Sequence, residues 1–407
     1  MPKNNIPLDT TGLPQLDAAL TGILAGDNIV WNVDDIEQYR RLAVPYAEAA
    51  QRDGRKLVYF RFAQHARLVP EGFCEECRLE PEAGFEVFLH RIHAVVGDHG
   101  LGAYYLFDCL SDLATNWCSD AMLGNFFLLT CPYLYRLETI AYFGLLRGRH
   151  SRHAVEPVRA TTQLFLEVYG HEGKLYVLPV KTQFRHSPTI HQMLEWDGGE
   201  RFATVRSSAR LTQVMGRVPP NSARIETYGD DVVRRAEEAL QAAPRGAAAE
   251  ALKRQLVGMM ITRDESILPL VDQYLTLEDV LEVRWRMFGT GLVGGKAVGM
   301  LVARKIAERE CPELGAKLEA HDSFYIGSDV FYTFLVRNGL WEFREKQHFP
   351  ETFLDGVEEA QARILDGKFS AYEMELFAKM LDYFGQYPVI VRSSSLLEDA
   401  YGNSFAG

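Results

Sequence analysis

The sequence predicts an α/β protein in three stretches: a mainly parallel sheet domain over residues 1–197, a linker and helical connector over 198–284, and the opening of a second, α+β domain over 285–407. Three observations predict it. Strand-like and helix-like segments alternate through the first stretch, as a parallel sheet with crossover helices requires. The pattern then turns helical and rich in Ala, Glu, Arg and Leu between Val232 and Met260. Beyond it, two loops of glycine and serine stand beside a lysine and an arginine, at 291–301 and 387–407.

Residues 28–31 are a short apolar run with strand character. Asp34 or Asp35 can cap a helix expected over 36–52, because a carboxylate ahead of the first turn accepts an amide that the helix cannot bond internally. Gly54 can take the left-handed conformation that stops it. A second strand is expected at 56–62, then a helix at 84–96 with Phe85, Phe88, Leu89, Ile92, Val95 and Val96 inward, then a third strand at 103–108. Further strands are expected at 140–145, 162–169 and 175–180. Apolar periodicity weakens between Trp196 and Asp231, where Gly198-Gly199 and Pro219-Pro220 mark the linker. Two helices parted near Pro244-Arg245-Gly246 follow, and one over 277–287 capped by Thr276.

An apolar fraction of 47% over 407 residues sustains ordinary cores in more than one domain. The net charge of −12 would repel a phosphate backbone, which argues against a nucleic-acid partner. No basic leader opens the sequence, and its longest apolar run, 125–134, falls short of the ~20 residues a membrane helix needs, so a cytoplasmic protein without a membrane partner is expected. Six cysteines suit reduced thiols. Cys74 and Cys77 with His90 and His93 come close to a zinc pattern, although the histidines stand closer together than usual; the alternative is two loop thiols and two helix-face histidines.

The phosphate chemistry is concentrated in the last stretch. Gly294 and Gly295 let the backbone turn tightly, and Lys296 in the first turn of the following helix adds an ammonium to the amides exposed there. Val389, Ile390 and Val391 read as a short buried strand, and Arg392 follows with a planar, permanently charged fork. Ser393, Ser394 and Ser395 add hydroxyls, while Gly402 and Gly407 bracket 403–406 so that amides there approach a phosphate unobstructed. The pattern predicts that the domain continues beyond Gly407.

These segments resemble the N-terminal ATP-binding domain of pyruvate phosphate dikinase and phosphoenolpyruvate synthase. Arg392, Ser393, Ser394, Glu398, Asp399, Ser404, Phe405, Ala406 and Gly407 fit its signature V-R-S-S-(small)-x-E-D-x-x-x-x-S-F-A-G, with a departure at Leu396-Leu397. Gly294-Gly295-Lys296 and the helix behind it resemble its G-G-K-(small)-x-x-L segment. Residues 323–340 resemble its strand-then-helix unit, lacking the usual proline and first glycine but keeping Asn338-Gly339 as a helix stop. The resemblance implies an ATP-grasp-like fold binding ATP and magnesium, the metal ligands lying beyond residue 407. Lys296 and Arg392 would clamp the triphosphate, Ser393 and Ser394 would orient it, and Gly402, Ser404 and Gly407 would belong to a lid. In full-length relatives phosphate passes from ATP to a carrier histidine and on to pyruvate or another acceptor; residues 1–407 by themselves are expected to be inactive. The competing expectation is a non-catalytic regulatory or scaffolding protein.

The first stretch resembles the RecA-like ATPase domain of the KaiC and RadA type. Thr11-Gly12-Leu13-Pro14 through Gly26-Asp27 is similar to that family's T-G-(I/L)-P-x-L-D opening, and 181–188 to its K-x-R-x-x-x-H-S segment with the arginine displaced to Arg185. Where an active member carries G-x-x-x-x-G-K-(S/T), however, Trp31 leads into Asn32-Val33-Asp34-Asp35-Ile36-Glu37, whose carboxylates repel phosphate. A degenerate ATPase follows, offering a surface for a protein partner or an oligomer. Asp108 is expected to make a structural hydrogen bond rather than bind magnesium. The basic tract 147–153 is expected either to bind an anionic ligand or to be a solvated loop.

Overall fold

A computed structural model describes residues 9–117, 119–199, 201–216, 227–242, 246–319 and 322–394. The chain divides into two compact units, Met1–Thr227 and Tyr228–Gly407.

In the first unit the described elements run α1 (Pro14–Ala19), β1 (Asn28–Val33), α2 (Ile36–Arg52), β2 (Leu57–Arg61), β3 (Glu75–Arg78), α3 (Phe85–His99), β4 (Tyr104–Cys109), α4 (Ser111–Asn116), α5 (Ala121–Arg136), β5 (Ile140–Leu146), α6 (Arg152–Thr161), β6 (Leu164–His171), β7 (Lys174–Thr182), β8 (Leu194–Trp196), β9 (Phe202–Thr204) and α7 (Ser208–Met215). The strands form one sheet in the order β3-β2-β4-β5-β1-β6-β7-β8-β9. Neighbours from β3 through β6 are parallel, and β6 to β9 are antiparallel. The expected mixed α/β architecture with a mostly parallel sheet is therefore present.

Packing on both faces explains the apolar strands: every residue of β4 is buried, and all of β1 except Asn32. Helix α2 lays Tyr39, Leu42, Ala43, Tyr46 and Ala47 into the same core. A buried phenol needs a partner for its hydroxyl, and here each donates to a strand carbonyl, Tyr39 to Phe107 at 2.9 Å and Tyr46 to Ile140 at 2.8 Å. Tyr46 also stacks on Tyr142, centroids 3.9 Å apart. The Tyr39 ring lies so close to β5 that a Cβ on Gly144 would stand 2.5 Å from it. Asp35 accepts the Gln38 amide and caps α2.

The second unit runs α8 (Tyr228–Ala242), α9 (Ala247–Leu256), α10 (Leu268–Tyr274), α11 (Leu277–Trp285), β10 (Met287–Phe288), α12 (Gly295–Glu310), α13 (Pro312–Gly315), β11 (Tyr325–Ile326), α14 (Ser328–Arg337), α15 (Trp341–Lys346), α16 (Val357–Asp366) and α17 (Ala371–Phe384). Thr276 and Asp279 form a reciprocal capping box at α11. β10 and β11 pair in parallel. Asn338 caps the end of α14 and Gly339 follows at φ +66°.

One expectation fails here. Residues 389–391 are not a buried strand: they form no ladder, and Ile390 and Val391 are 84% and 85% exposed. A strand needs a neighbour to satisfy its amides and carbonyls, and the strands described in this unit are each two residues long and paired with one another. No helix among the described residues is long and apolar enough to cross a membrane.

Candidate functional site

In the second unit the site is assembled around the loop between β10 and α12. Asp329, 5% exposed in the first turn of α14, accepts both the amide of Thr290 at 2.9 Å and its hydroxyl at 2.6 Å. Its neighbour Ser328 accepts the Leu292 amide at 3.3 Å, the Gly327 amide bonds the Phe288 carbonyl at 2.8 Å, and the Val293 amide bonds the Met260 carbonyl at 2.9 Å. The loop is thus held at four successive points before the chain turns at Gly294, φ +87°, into α12.

A segment distant in sequence closes the turn. The Ser394 hydroxyl accepts the amide of Ala297 at 3.0 Å, across 97 residues. The contact is so close that a Cβ on Gly294 would lie 1.6 Å from the Ser394 carbonyl oxygen, which with the positive φ demands glycine there. The chain arrives from α17, where Tyr383 and Phe384 pack edge-on against Phe324 beside β11, and Arg286 bridges Asp322 and the Tyr383 hydroxyl. Lys296, in the first turn of α12, is half-buried, and Arg392 and Ser393 are exposed. The glycine turn preceding Lys296 and the serine two residues after Arg392 therefore meet. Gly402, Ser404 and Gly407 lie outside the described residues, as do Ser395, the Leu396-Leu397 departure, Glu398 and Asp399.

Residues 290–407 match the family model of the pyruvate phosphate dikinase AMP/ATP-binding domain. The dikinase-type match begins at Thr290, the residue Asp329 holds, and spans the glycine turn, α12, α14 and the 392–394 segment. No curated protein matches the chain. Asp329 was missed by sequence reasoning, since one carboxylate at a helix start reads as an ordinary dipole partner.

The first unit arranges its charges differently. Asp35 is committed to capping α2. Asp34 accepts the Gly170 amide at 3.2 Å and stands 3.3 Å from Arg147 Nε. The Arg147 guanidinium lies 3.7 Å over the Tyr169 ring and donates to the carbonyls of Asn32 and Val168. So the turn between β1 and α2 carries two acceptors, Asp35 held by the first turn of α2 and Asp34 by Gly170 and Arg147.

Asp108 is fully buried and saturated. It accepts the Tyr59 hydroxyl, the Phe62 and Ala63 amides at 2.9 Å each, and Arg61 at 3.3 Å. His65 beside it receives the Cys109 amide on Nε2 at 3.1 Å and faces the Ala66 carbonyl with Nδ1 at 2.8 Å. The expected structural role for Asp108 suits this geometry. Arg185 forms a buried pair with Asp27 at 2.5 Å and donates to the Gly22 carbonyl, and Lys181 donates to the carbonyls of Arg159 and Ala160 at the end of α6. Burial raises the Asp27 carboxyl against the Arg185 bond, and burial lowers the Lys181 ammonium.

The basic tract is neither fully solvated nor fully available: Arg147 and His150 turn inward, whereas Arg149, Arg152 and His153 are exposed. Cys74, Cys77, His90 and His93 do not gather, and among the described residues no group of three or more metal-type ligands occurs. His93 packs against Tyr133 and burial pushes its imidazole down to about 4, a state that suits a core residue.

Proposed function

We propose that residues 285–407 are the ATP-holding part of a dikinase-type phosphotransferase. The observation that carries this reading is the Ser394–Ala297 contact inside the matched segment, which draws together the glycine turn before Lys296 and the polypeptide carrying Arg392. The donor chemistry fits a nucleotide triphosphate: an ammonium, a guanidinium and a hydroxyl from Lys296, Arg392 and Ser393, with the loop carboxylate Asp329 already bonded to Thr290. Lys296 and Arg392 would stabilise the charge that develops on the transferred phosphate, Ser393 and Ser394 would hold its surroundings in register, and Gly402, Ser404 and Gly407 would close over it. Magnesium would supply charge neutralisation for the phosphates. Phosphate would pass to pyruvate or another acceptor through further domains, in a cytoplasmic protein of ATP-grasp-like architecture.

For the first unit the same proposal assigns a degenerate RecA-like domain over 1–197, joined by a 198–284 connector, with a regulatory or partner-binding role. Its support is the strand order with β1 between β5 and β6, the KaiC-type opening, and the internal pairing of Asp34 with Arg147.

ATP titration into the native protein and its Lys296→Ala and Arg392→Ala forms tests the assignment. Each substitution is expected to weaken binding at least about tenfold, in line with the loss of one charge-assisted phosphate contact. Undiminished affinity in both removes the assignment.

A further inference from the structure

The first unit contains a hydrogen-bonded chain that neither nucleotide-type region uses. Ser111 opens α4 two residues after the end of β4, at the carboxyl edge of the parallel sheet, where open α/β folds place reactive groups. Its Oγ lies 2.6 Å from His150 Nε2, and His150 Nδ1 lies 2.7 Å from Asp120 Oδ1. The other Asp120 oxygen accepts the Ser151 amide at 2.6 Å, which fixes the carboxylate.

The direction of each bond follows from its donors. An ionised carboxylate only accepts, so the imidazole carries its proton on Nδ1 and offers Nε2 as an acceptor for the Ser111 hydroxyl hydrogen. The Leu146 amide donates to the same Oγ at 2.8 Å, occupying one of its lone pairs. A hydroxyl, a base within bonding reach, and a carboxylate orienting that base are the three parts of an activated serine. His150 is 3% exposed and Ser111 is 8% exposed, so only a small reagent could reach Oγ.

We propose that Ser111, His150 and Asp120 form a nucleophilic triad that hydrolyses short-chain carboxylic esters. Ser111 Oγ bonds to the ester carbonyl carbon while its proton passes to His150 Nε2. The imidazolium, stabilised by Asp120, returns that proton to the leaving alkoxide as the carbon–oxygen bond breaks, leaving an acyl-Ser111. Water then adds to the acyl carbon, giving its proton to His150, and the tetrahedral intermediate collapses to the free acid as that proton returns to Ser111.

The test is reaction of the full chain with diisopropyl fluorophosphate, a small reagent whose phosphorus takes Oγ and releases fluoride, with the adduct located by peptide mass spectrometry. The expected result is a stoichiometric adduct on Ser111, formed at least about 100-fold more slowly in His150→Gln, the range general-base assistance supplies. Asp120→Asn is expected to slow it as well, and Ser111→Ala to abolish both that adduct and any hydrolysis of p-nitrophenyl acetate above the buffer rate. A native protein left unlabelled at Ser111 overturns the proposal whatever the variants do. Equal labelling rates in native protein and in a His150→Gln form with native circular dichroism overturn it too.

Discussion

The two units treat the start of a helix beside a strand in opposite ways. In the first, Asp34 and Asp35 occupy the turn before α2, the former facing Arg147 and the latter capping the helix, so both carboxylates are engaged within the protein. In the second, Gly294 makes the turn before α12, a serine from 97 residues away caps it, and Lys296 follows. Packing diverges in parallel: Leu106 at the centre of the first unit is 0% exposed, whereas Leu365, Ile390 and Val391 in the second are 84–88% exposed. A turn that carries its own acceptors disfavours phosphate, while one that carries glycine and a cation is where the proposed reading places ATP.

This contrast can be broken or sharpened experimentally. The largest effect is expected at Asp108. Removing it as Asp108→Ala leaves two buried amides and the Tyr59 hydroxyl without their acceptor and Arg61 without its carboxylate, for a loss of about 3–5 kcal/mol in urea unfolding. A loss below about 1 kcal/mol would show that the cluster is not structural. Next come paired truncations, with Leu106→Ala expected to cost about 2–5 kcal/mol and Leu365→Ala no more than about 0.5 kcal/mol. Equal costs would erase the packing contrast.

A pH effect follows from His93. Its folded value near 4 lies below the ordinary 6.5, so between those values the unfolded chain binds the extra proton. The contribution is complete above pH 6.5 and is lost as pH falls toward 4, amounting to at most about 3 kcal/mol. His93→Phe should flatten this part of the stability-versus-pH curve; an unchanged slope would place the histidine in water. A modest effect is expected for Ser394→Ala, about 1 kcal/mol from the lost helix cap. Unaltered thermal unfolding of the second unit together with unaltered ATP binding would mean that the contact organises nothing.

Much of this architecture was legible because local chemistry and tertiary packing agree. Helix α2 spans 36–52 as expected, since Asp35 and Gly54 punctuate it, and Thr276 marked α11 in the same way. Helices α5 and α6 carry Pro132 and Pro157 in their interiors, which obscures them in sequence although packing sustains them. Strand β3, Glu75–Arg78, has no apolar alternation because it is a partly exposed edge. At 389–391 the apolar run pointed to a strand, but strand character is not local and no ladder partner is present among the described residues. The glycines announced the turn before Lys296. The Ser394 contact was not legible: the resemblance gave Ser394 a phosphate-orienting role, and nothing local to Ser394 encodes an amide 97 residues away.

Hydrogen exchange measured with and without magnesium-ATP tests the central claim most directly, because it reads both units in one experiment. The account predicts added protection at 289–299 and 389–394 and none at 28–38. Protection at 28–38, or its absence at 289–299, would contradict it.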